Sequence, residues 1–289
     1  MSDSAPHTPV LLNEALDGLA IREQGTYVDA TFGAGGHTRA LLARLRGGRV
    51  IAFDVDPTVE PLVDPALVFV QANFRDIADE LRARAIERVD GVLFDFGVSS
   101  MQLDRGERGF SFNSDAPLDM RMDQTSGRTA HELLAESSET ELADILFFFG
   151  EERAARRIAR ALLRAREQGR LPRTTVELAR CVAGVLHRPG KRERTHPATR
   201  TFQALRIAVN DELGAISQGL EAATTMLAPG GRIAAISFHS LEDRLVKHHF
   251  RDNPHLTAIT RKPLLPQDSE IQHNPRARSA RLRVAERNS

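Results

Sequence analysis

One stretch constrains the fold of this chain more than any other: Tyr27-Val28-Asp29-Ala30-Thr31-Phe32-Gly33-Ala34-Gly35-Gly36-His37. Tyr27 and Val28 favour extended backbone, and residues 38–45 carry leucines at helical spacing. The stretch therefore reads as a strand, a glycine turn and a helix opening near Thr38. The glycines let the backbone bend tightly and let a ligand approach with no side chain between, and the helix start offers free N–H groups. A second strand over residues 50–53 ends in Asp54, about twenty residues past the glycines, where nucleotide-binding sheets place an acid on ribose hydroxyls. The spacing Gly33-x-Gly35-Gly36 is not the G-x-G-x-x-G of dinucleotide binders, which argues against NAD or FAD. On this stretch alone, an ordinary strand–helix turn stays open as the alternative.

The alternation continues. Residues 67–70 read as a third strand ending near Asn73-Phe74, and residues 77–86 as a helix. Gly91-Val92-Leu93-Phe94 is a short apolar run, as expected of a strand covered on both faces, and it stops at Asp95. Residues 105–127, rich in Gly, Asp, Arg, Ser and Met, read as an extended loop. Residues 129–187 then read as successive helices: one at 141–146, one over 151–167 with Ala154, Ile158, Ala161, Leu162 and Ala165 on one stripe, and one over 175–186 capped by Thr174 or Thr175. The α/β pattern returns with one long helix over 199–226, the turn Leu227-Ala228-Pro229-Gly230-Gly231 and a strand over 232–238. Arginines alternating with apolar residues over 276–285 predict a final edge strand.

Open α/β sheets bind ligands at the C-terminal ends of their strands. Asp29, Asp54, Phe74 and Asp95 all fall at such ends. Three carboxylates and a ring suit a ligand with a ribose, a purine and a positive charge, and would repel a pyrophosphate. S-adenosylmethionine, with its sulfonium and ammonium, fits that rim better than NAD.

Several blocks carry a family resemblance: Asp29-Ala-Thr-Phe-Gly-Ala-Gly-Gly-His37, Asp95-Phe-Gly-Val-Ser-Ser100, Arg108-Gly-Phe-Ser-Phe112, Pro117-Leu-Asp-Met-Arg-Met-Asp123, His196-Pro-Ala-Thr-Arg-Thr-Phe-Gln203, Ser237-Phe-His-Ser-Leu-Glu-Asp243 and Asn274-Pro-Arg-Ala-Arg-Ser279. Together they resemble the bacterial small-subunit rRNA cytosine-N4 methyltransferases of the RsmH or MraW type, from His7 to Arg287. The resemblance implies a Rossmann-like class I methyltransferase domain of residues 1–109 and 206–289, with residues 110–205 a helical insertion that recognises RNA. It implies methyl transfer from S-adenosylmethionine to N4 of a cytidine in the decoding region of 16S rRNA. The cofactor contacts it implies are Gly35, Gly36, His37, Asp54, Phe74, Asp95 and Gln102. The clearest departure is Phe53-Asp54-Val55-Asp56, where a smaller residue before Asp54 and a basic one after it are expected.

An exocyclic cytosine amine is a poor nucleophile, because its lone pair is delocalised into the ring. The Asp/Asn-Pro-Pro-Tyr of many amino-methyltransferases is absent after the fourth strand. Acceptors within residues 95–100 are therefore expected to align N4, with Phe96, Phe110 or Phe112 stacking on a flipped base. His239, beside Ser240 and Glu242, reads as a hydrogen-bonded structural imidazole, with a general base as the alternative, and no histidine spacing points to a structural metal site.

Lys and Arg total 39 against 39 Asp and Glu, so net charge excludes nothing, but its distribution is uneven. Residues 153–200 hold fourteen Arg or Lys against Glu167, Glu177 and Glu193, and residues 276–287 hold five Arg against Glu286. The first segment is the expected RNA platform, the alternative being a solvated helix face. Cys181, the only cysteine, excludes a disulfide framework and is expected to be a buried, inert thiol. No signal pattern or long apolar run is visible, so a cytoplasmic protein is expected, as monomer or homodimer. An amino-methyltransferase for DNA or another RNA, and a non-catalytic nucleic-acid binder on the same scaffold, remain the competing readings.

Overall fold

The computed structural model describes residues 9–99, 106–187 and 196–289. Seven strands form one sheet in the order β3-β2-β1-β4-β5-β7-β6. They are β1 (Thr26–Asp29), β2 (Arg49–Asp54), β3 (Leu67–Gln71), β4 (Val89–Asp95), β5 (Leu227–Ser237), β6 (Leu256–Ala258) and β7 (Arg281–Arg287). Strands β1 to β5 run parallel, and β7 lies antiparallel between β5 and β6. The chain moves outward from β1 to β3, then restarts on the other side of β1 with β4. That reversal opens a crevice at the C-terminal ends of β1 and β4.

Alternation along the strands builds two cores. Val28, Ile51, Phe53, Val92, Phe94 and Ile233 join one cluster with Ile77 and Leu81 of α3 (Ile77–Ala83), Ile216 and Leu220 of α9 (Glu212–Met226), and Val246 and Phe250 of α10 (Ser240–Asp252). Their chain neighbours Tyr27, Val50, Leu93 and Ala234 point to the opposite cluster, with Leu16 of α1 (Leu12–Gly18) and Leu41 of α2 (Gly36–Ala43). Each fully buried Leu, Ile or Phe contributes about 1.5–3 kcal/mol, so the strand tips are anchored from both faces.

The chain divides into two compact units: one comprises the chain to Gly97 and from Leu213 onward, the other Val98 to Glu212. The second unit is helical among its described residues: α4 (Ala130–Glu136), α5 (Glu139–Gly150), α6 (Ala155–Glu167), α7 (Thr175–Leu186) and α8 (Thr199–Asn210) surround Leu134, Leu146, Ile158, Leu162, Leu178 and Leu205. Thr129, Ser138 and Thr174 each close a capping box with the Glu three residues later, which starts α4, α5 and α7 sharply. Cys181 on α7 is half-buried rather than fully buried, and burial pushes its thiol pKa up.

Three expectations change. The long helix over 199–226 is two helices, because Asp211 adopts a left-handed φ of 48° between α8 and α9. The turn at 227–231 lies inside β5 as an irregularity: the one residue between Val89 and Gly91 faces the four between Leu227 and Arg232, with Gly230 at φ 74°. The C-terminal strand is not an edge, since β6 covers it. Residues 275–279 form a 3-10 turn ahead of β7, and helix α11 (Asp268–His273) precedes it. Arg283, which reads as a solvent-facing residue of an edge, is buried and its Nε donates to Asp243 Oδ1 at 2.7 Å.

Candidate cofactor site

The loop after β1 is stitched to both neighbouring strands. Ala30 N–H donates to Leu93 O and Phe32 N–H to Phe53 O, each at 2.8 Å. Asp95 N–H donates to Thr31 Oγ1 at 2.7 Å, and Gly33 N–H to Asp54 Oδ2 at 2.8 Å. Gly35 caps α2 at φ 72°, and a Cβ there would lie 2.7 Å from Phe32 Cζ. Gly36 serves a different neighbour: a Cβ would lie 2.3 Å from Pro9 Cγ. One glycine thus permits the bend and the next permits close packing.

Asp29 is fully buried and works on the loop itself. It accepts the Thr38 hydroxyl at 2.6 Å and Thr31 N–H at 3.2 Å, pinning the first turn of α2 to the tip of β1. Burial raises its pKa, against the lowering effect of His37 and these hydrogen bonds. Asp54, at the tip of β2, accepts Gly33 N–H and, through Oδ1, Asp56 N–H at 2.9 Å. Burial outweighs these bonds and pushes it up to about 6. Asp95, at the tip of β4, is also pushed up to about 6, mainly by burial, with His37 lowering it and Asp29 and Glu242 raising it.

His37 turns inward. Its Nε2 lies 3.2 Å from Val10 O, a carbonyl that can only accept, which assigns the proton to Nε2. Its Nδ1 lies 3.6 Å from Asp95 Oδ2. Asp95 Oδ1 is buried with no hydrogen-bond partner among the described residues. A buried carboxylate oxygen left over in this way costs about 1–3 kcal/mol or more until a donor or cation meets it.

Phe74 opens the 3-10 turn Phe74–Asp76, whose N-cap Asn73 accepts Arg75 N–H. Its ring sits edge-on to Phe94 at 5.7 Å and near Phe96 at 5.9 Å, half-buried beside the strand tips. Phe96 itself is buried on Phe94 at 5.2 Å, so it has no free face for a base. In the other unit Phe110 is buried as well, while Phe112 is half-buried against His196 and Phe202. Gln102 and Ser100 lie outside the described residues.

His239 is the N-cap of α10: its Nδ1 accepts Glu242 N–H at 3.4 Å, and its Nε2 is 3.1 Å from Glu242 Oε1. Nδ1 thus serves as a helix cap, while Nε2 is buried and makes no hydrogen bond among the described residues. Glu242, fully buried, accepts Phe238 N–H at 2.6 Å and His239 N–H at 3.2 Å. Thr31 and Glu242 are the site residues that sequence reasoning passed over. Only the His239-x-x-Glu242 spacing hinted at the second, as a helix cap.

Acids at neighbouring strand tips, a positive-φ glycine loop and an unsatisfied carboxylate oxygen can hold a cationic nucleoside. Together with the strand order and the antiparallel β7, they define a Rossmann-like class I methyltransferase. A profile of the MraW methylase family matches residues 4–288, and this chain belongs to that family. A ribosomal RNA small subunit methyltransferase H from Methylobacterium nodulans is 50% identical over 314 residues, 99% of this chain and 92% of that one. Relatives of the same name from Deinococcus radiodurans and Synechococcus elongatus are 50% and 49% identical, over 97% of this chain and 89% and 94% of theirs. The fold also aligns with a solved rRNA methylase from Streptococcus thermophilus at 13% identity and TM-score 0.44, over 98% of this chain and 100% of that one. That likeness is a distant one. No helix among the described residues is long and apolar enough to cross a membrane.

Proposed function

We infer that this enzyme methylates the N4 amine of a cytidine in the decoding region of 16S rRNA, within the small ribosomal subunit in the cytoplasm. It is an S-adenosylmethionine-dependent rRNA methyltransferase, and the residues present fit that donor. The observation that carries the fit is Asp95 Oδ1, buried and without a hydrogen-bond partner among the described residues, beside the acids Asp29 and Glu242, with Asp54 next to Asp29. A dinucleotide would add pyrophosphate charge to that acidic rim, whereas a cationic donor relieves it.

The residues that would hold the donor are Gly35, Gly36, His37, Asp54, Phe74, Asp95 and Gln102. Asp54 would accept ribose hydroxyls, while its bonds to Gly33 and Asp56 N–H keep the loop after β1 in register. Phe74 offers an apolar edge for the purine. His37 is anchored inward on Val10 O with its other ring nitrogen facing Asp95, and would contact the ligand through the backbone of α2. S-adenosylmethionine supplies a methyl activated by its sulfonium. The protein's own share is to hold N4 in line with that methyl and to exclude water, which supplies most of the rate when the nucleophile is weak.

The helical unit is the RNA platform of this reading. The side chains of Arg153, Arg156 and Arg164 are exposed and make no hydrogen bond or ion pair among the described residues. Arg160 pairs with Glu139, and Arg166 donates to the carbonyls of Ala135 and Ser137, so those two also serve the fold. Incubation with tritiated S-adenosylmethionine and small subunits, naked rRNA or duplex DNA tests the assignment. Label on N4-methylcytidine in the small subunit is expected, and label in DNA or on another base overturns it.

A further inference from the structure

The helical unit exposes two adjacent aromatic rings that its core does not use. Phe147 and Phe148 on α5 are 53% and 61% exposed, and their rings meet edge to face at 5.2 Å. The same helix buries Leu142, Ala143 and Leu146 in the core, with Ile145 and Phe149 packed partly against it. Leaving two phenyl rings in water forgoes apolar burial for both, so their position calls for a ligand rather than a packing role.

The chain reverses directly after them. Gly150 has no room for a side chain, since a Cβ would lie 2.6 Å from Arg200 O. Glu151 adopts φ 48°, Glu152 N–H donates to Leu146 O at 3.2 Å, and Ala154 N–H donates to Glu152 Oε1 at 2.7 Å. This turn brings the start of α6 beside the end of α5, and the Arg160–Glu139 pair at 3.3 Å closes the far end of the antiparallel hairpin. Arg153, Arg156, Arg160 and Arg164 recur at steps of three and four into and along α6, so they share one exposed row. Phe148 precedes Arg153, the first of that row, by five residues across this turn. Arg200, whose Nη1 donates to Glu151 O, lies at the same end.

We propose that Phe147 and Phe148 are a stacking platform for unpaired RNA bases, with the arginine row of α6 receiving the phosphates that follow. The proposal rests on the helical unit being the RNA platform and names the element that distinguishes unpaired from paired RNA. Each base offers a π face to a ring, and the spacing between bases along a strand suits successive aromatic and cationic contacts. A second copy of the chain is a poorer occupant, because a two-fold contact through this patch sets the unpaired arginines against their own symmetry mates.

The test compares full-length wild type with the double variant Phe147→Ala and Phe148→Ala. Binding is measured to a single-stranded oligoribonucleotide and to a duplex of the same sequence across a salt series. A loss of about ten- to a hundredfold on the single strand is expected, with the salt slope unchanged and the duplex little affected. Tyr at both positions should restore binding and Leu should not. Unchanged single-strand affinity, or rescue by Leu, overturns the proposal. So does a wild-type dimer that the double variant dissociates in sedimentation, which would make the pair an interface between copies. A parallel triple variant, Arg153→Glu, Arg156→Glu and Arg164→Glu, separates the two ideas. If it flattens the salt slope while the alanine pair is neutral, stacking fails and the platform stands. If neither variant alters binding, the platform reading fails too.

Discussion

At Asp95, burial and the need for charge oppose each other. Its pKa and that of Asp54 are raised from 3.8 to about 6, burial being the largest cause for both. The folded apo protein therefore holds these protons more tightly than the unfolded chain does. The stabilisation they contribute is full below about pH 3.8 and is lost as pH rises through about 6. A cationic donor needs the opposite, charged form. Its affinity should climb as pH rises from 5 to about 6 and level off above 7, with proton release on binding near pH 6. Titration calorimetry in buffers of different ionisation enthalpy would read both effects. Asp95→Asn should weaken donor binding by about tenfold or more, and weaken binding of the uncharged-sulfur product less, because only the donor carries the sulfonium. Equal losses for the two ligands would show that hydrogen bonding, not charge, is the role of Asp95. The aspartates could be read from the sequence because each ends an apolar strand. The inward turn of His37 toward Val10 could not, since it depends on where the lead-in segment packs.

Elements were predictable where one face of the pattern was decisive, and misread where a buried charge broke it. The Arg281-Leu282-Arg283-Val284 alternation looks like an edge strand because sequence does not show that Asp243 waits opposite Arg283. Arg283→Met should cost about 3 kcal/mol in urea unfolding, by leaving Asp243 buried with only the longer Arg281 contact at 3.3 Å. Burial raises the Asp243 pKa, but the arginine contacts overcome it and leave the carboxyl below its usual value, so the stability they contribute is present at neutral pH and fades in acid, where the gap between wild type and this variant should narrow. Gly35→Ala should cost about 1–2 kcal/mol from positive φ alone, plus displacement of Phe32, and should weaken donor binding by loosening the loop after β1. The split of the 199–226 helix turns on a single residue, Asp211. No periodicity could show it, because the apolar spacing continues through the break.

The segregation of charge shapes the behaviour of the molecule as a whole. A chain with 39 charges of each sign has no long-range preference, yet α6 presents a row of guanidiniums on one face. Reversing Arg153, Arg156 and Arg164 together should lower the slope of log affinity against log salt by about two, roughly 0.7 for each phosphate of single-stranded RNA that is no longer neutralised. Fluorescence anisotropy across roughly 50–300 mM salt checks it.

Sequence alone determined the parallel α/β sheet, the acids at its strand tips and the helical insertion. Those follow from local rules: strand and helix periods, glycine's freedom, and the placement of strand ends at the crevice. Tertiary structure alone decided which glycine bends and which makes room for Pro9, and that Asp29 braces the loop while an Asp95 oxygen stays unpaired. It also decided which phenylalanines are core and which face water. Those outcomes depend on residues far apart in the chain meeting one another, where burial and pairing set the energy of each group and no local pattern encodes the partner.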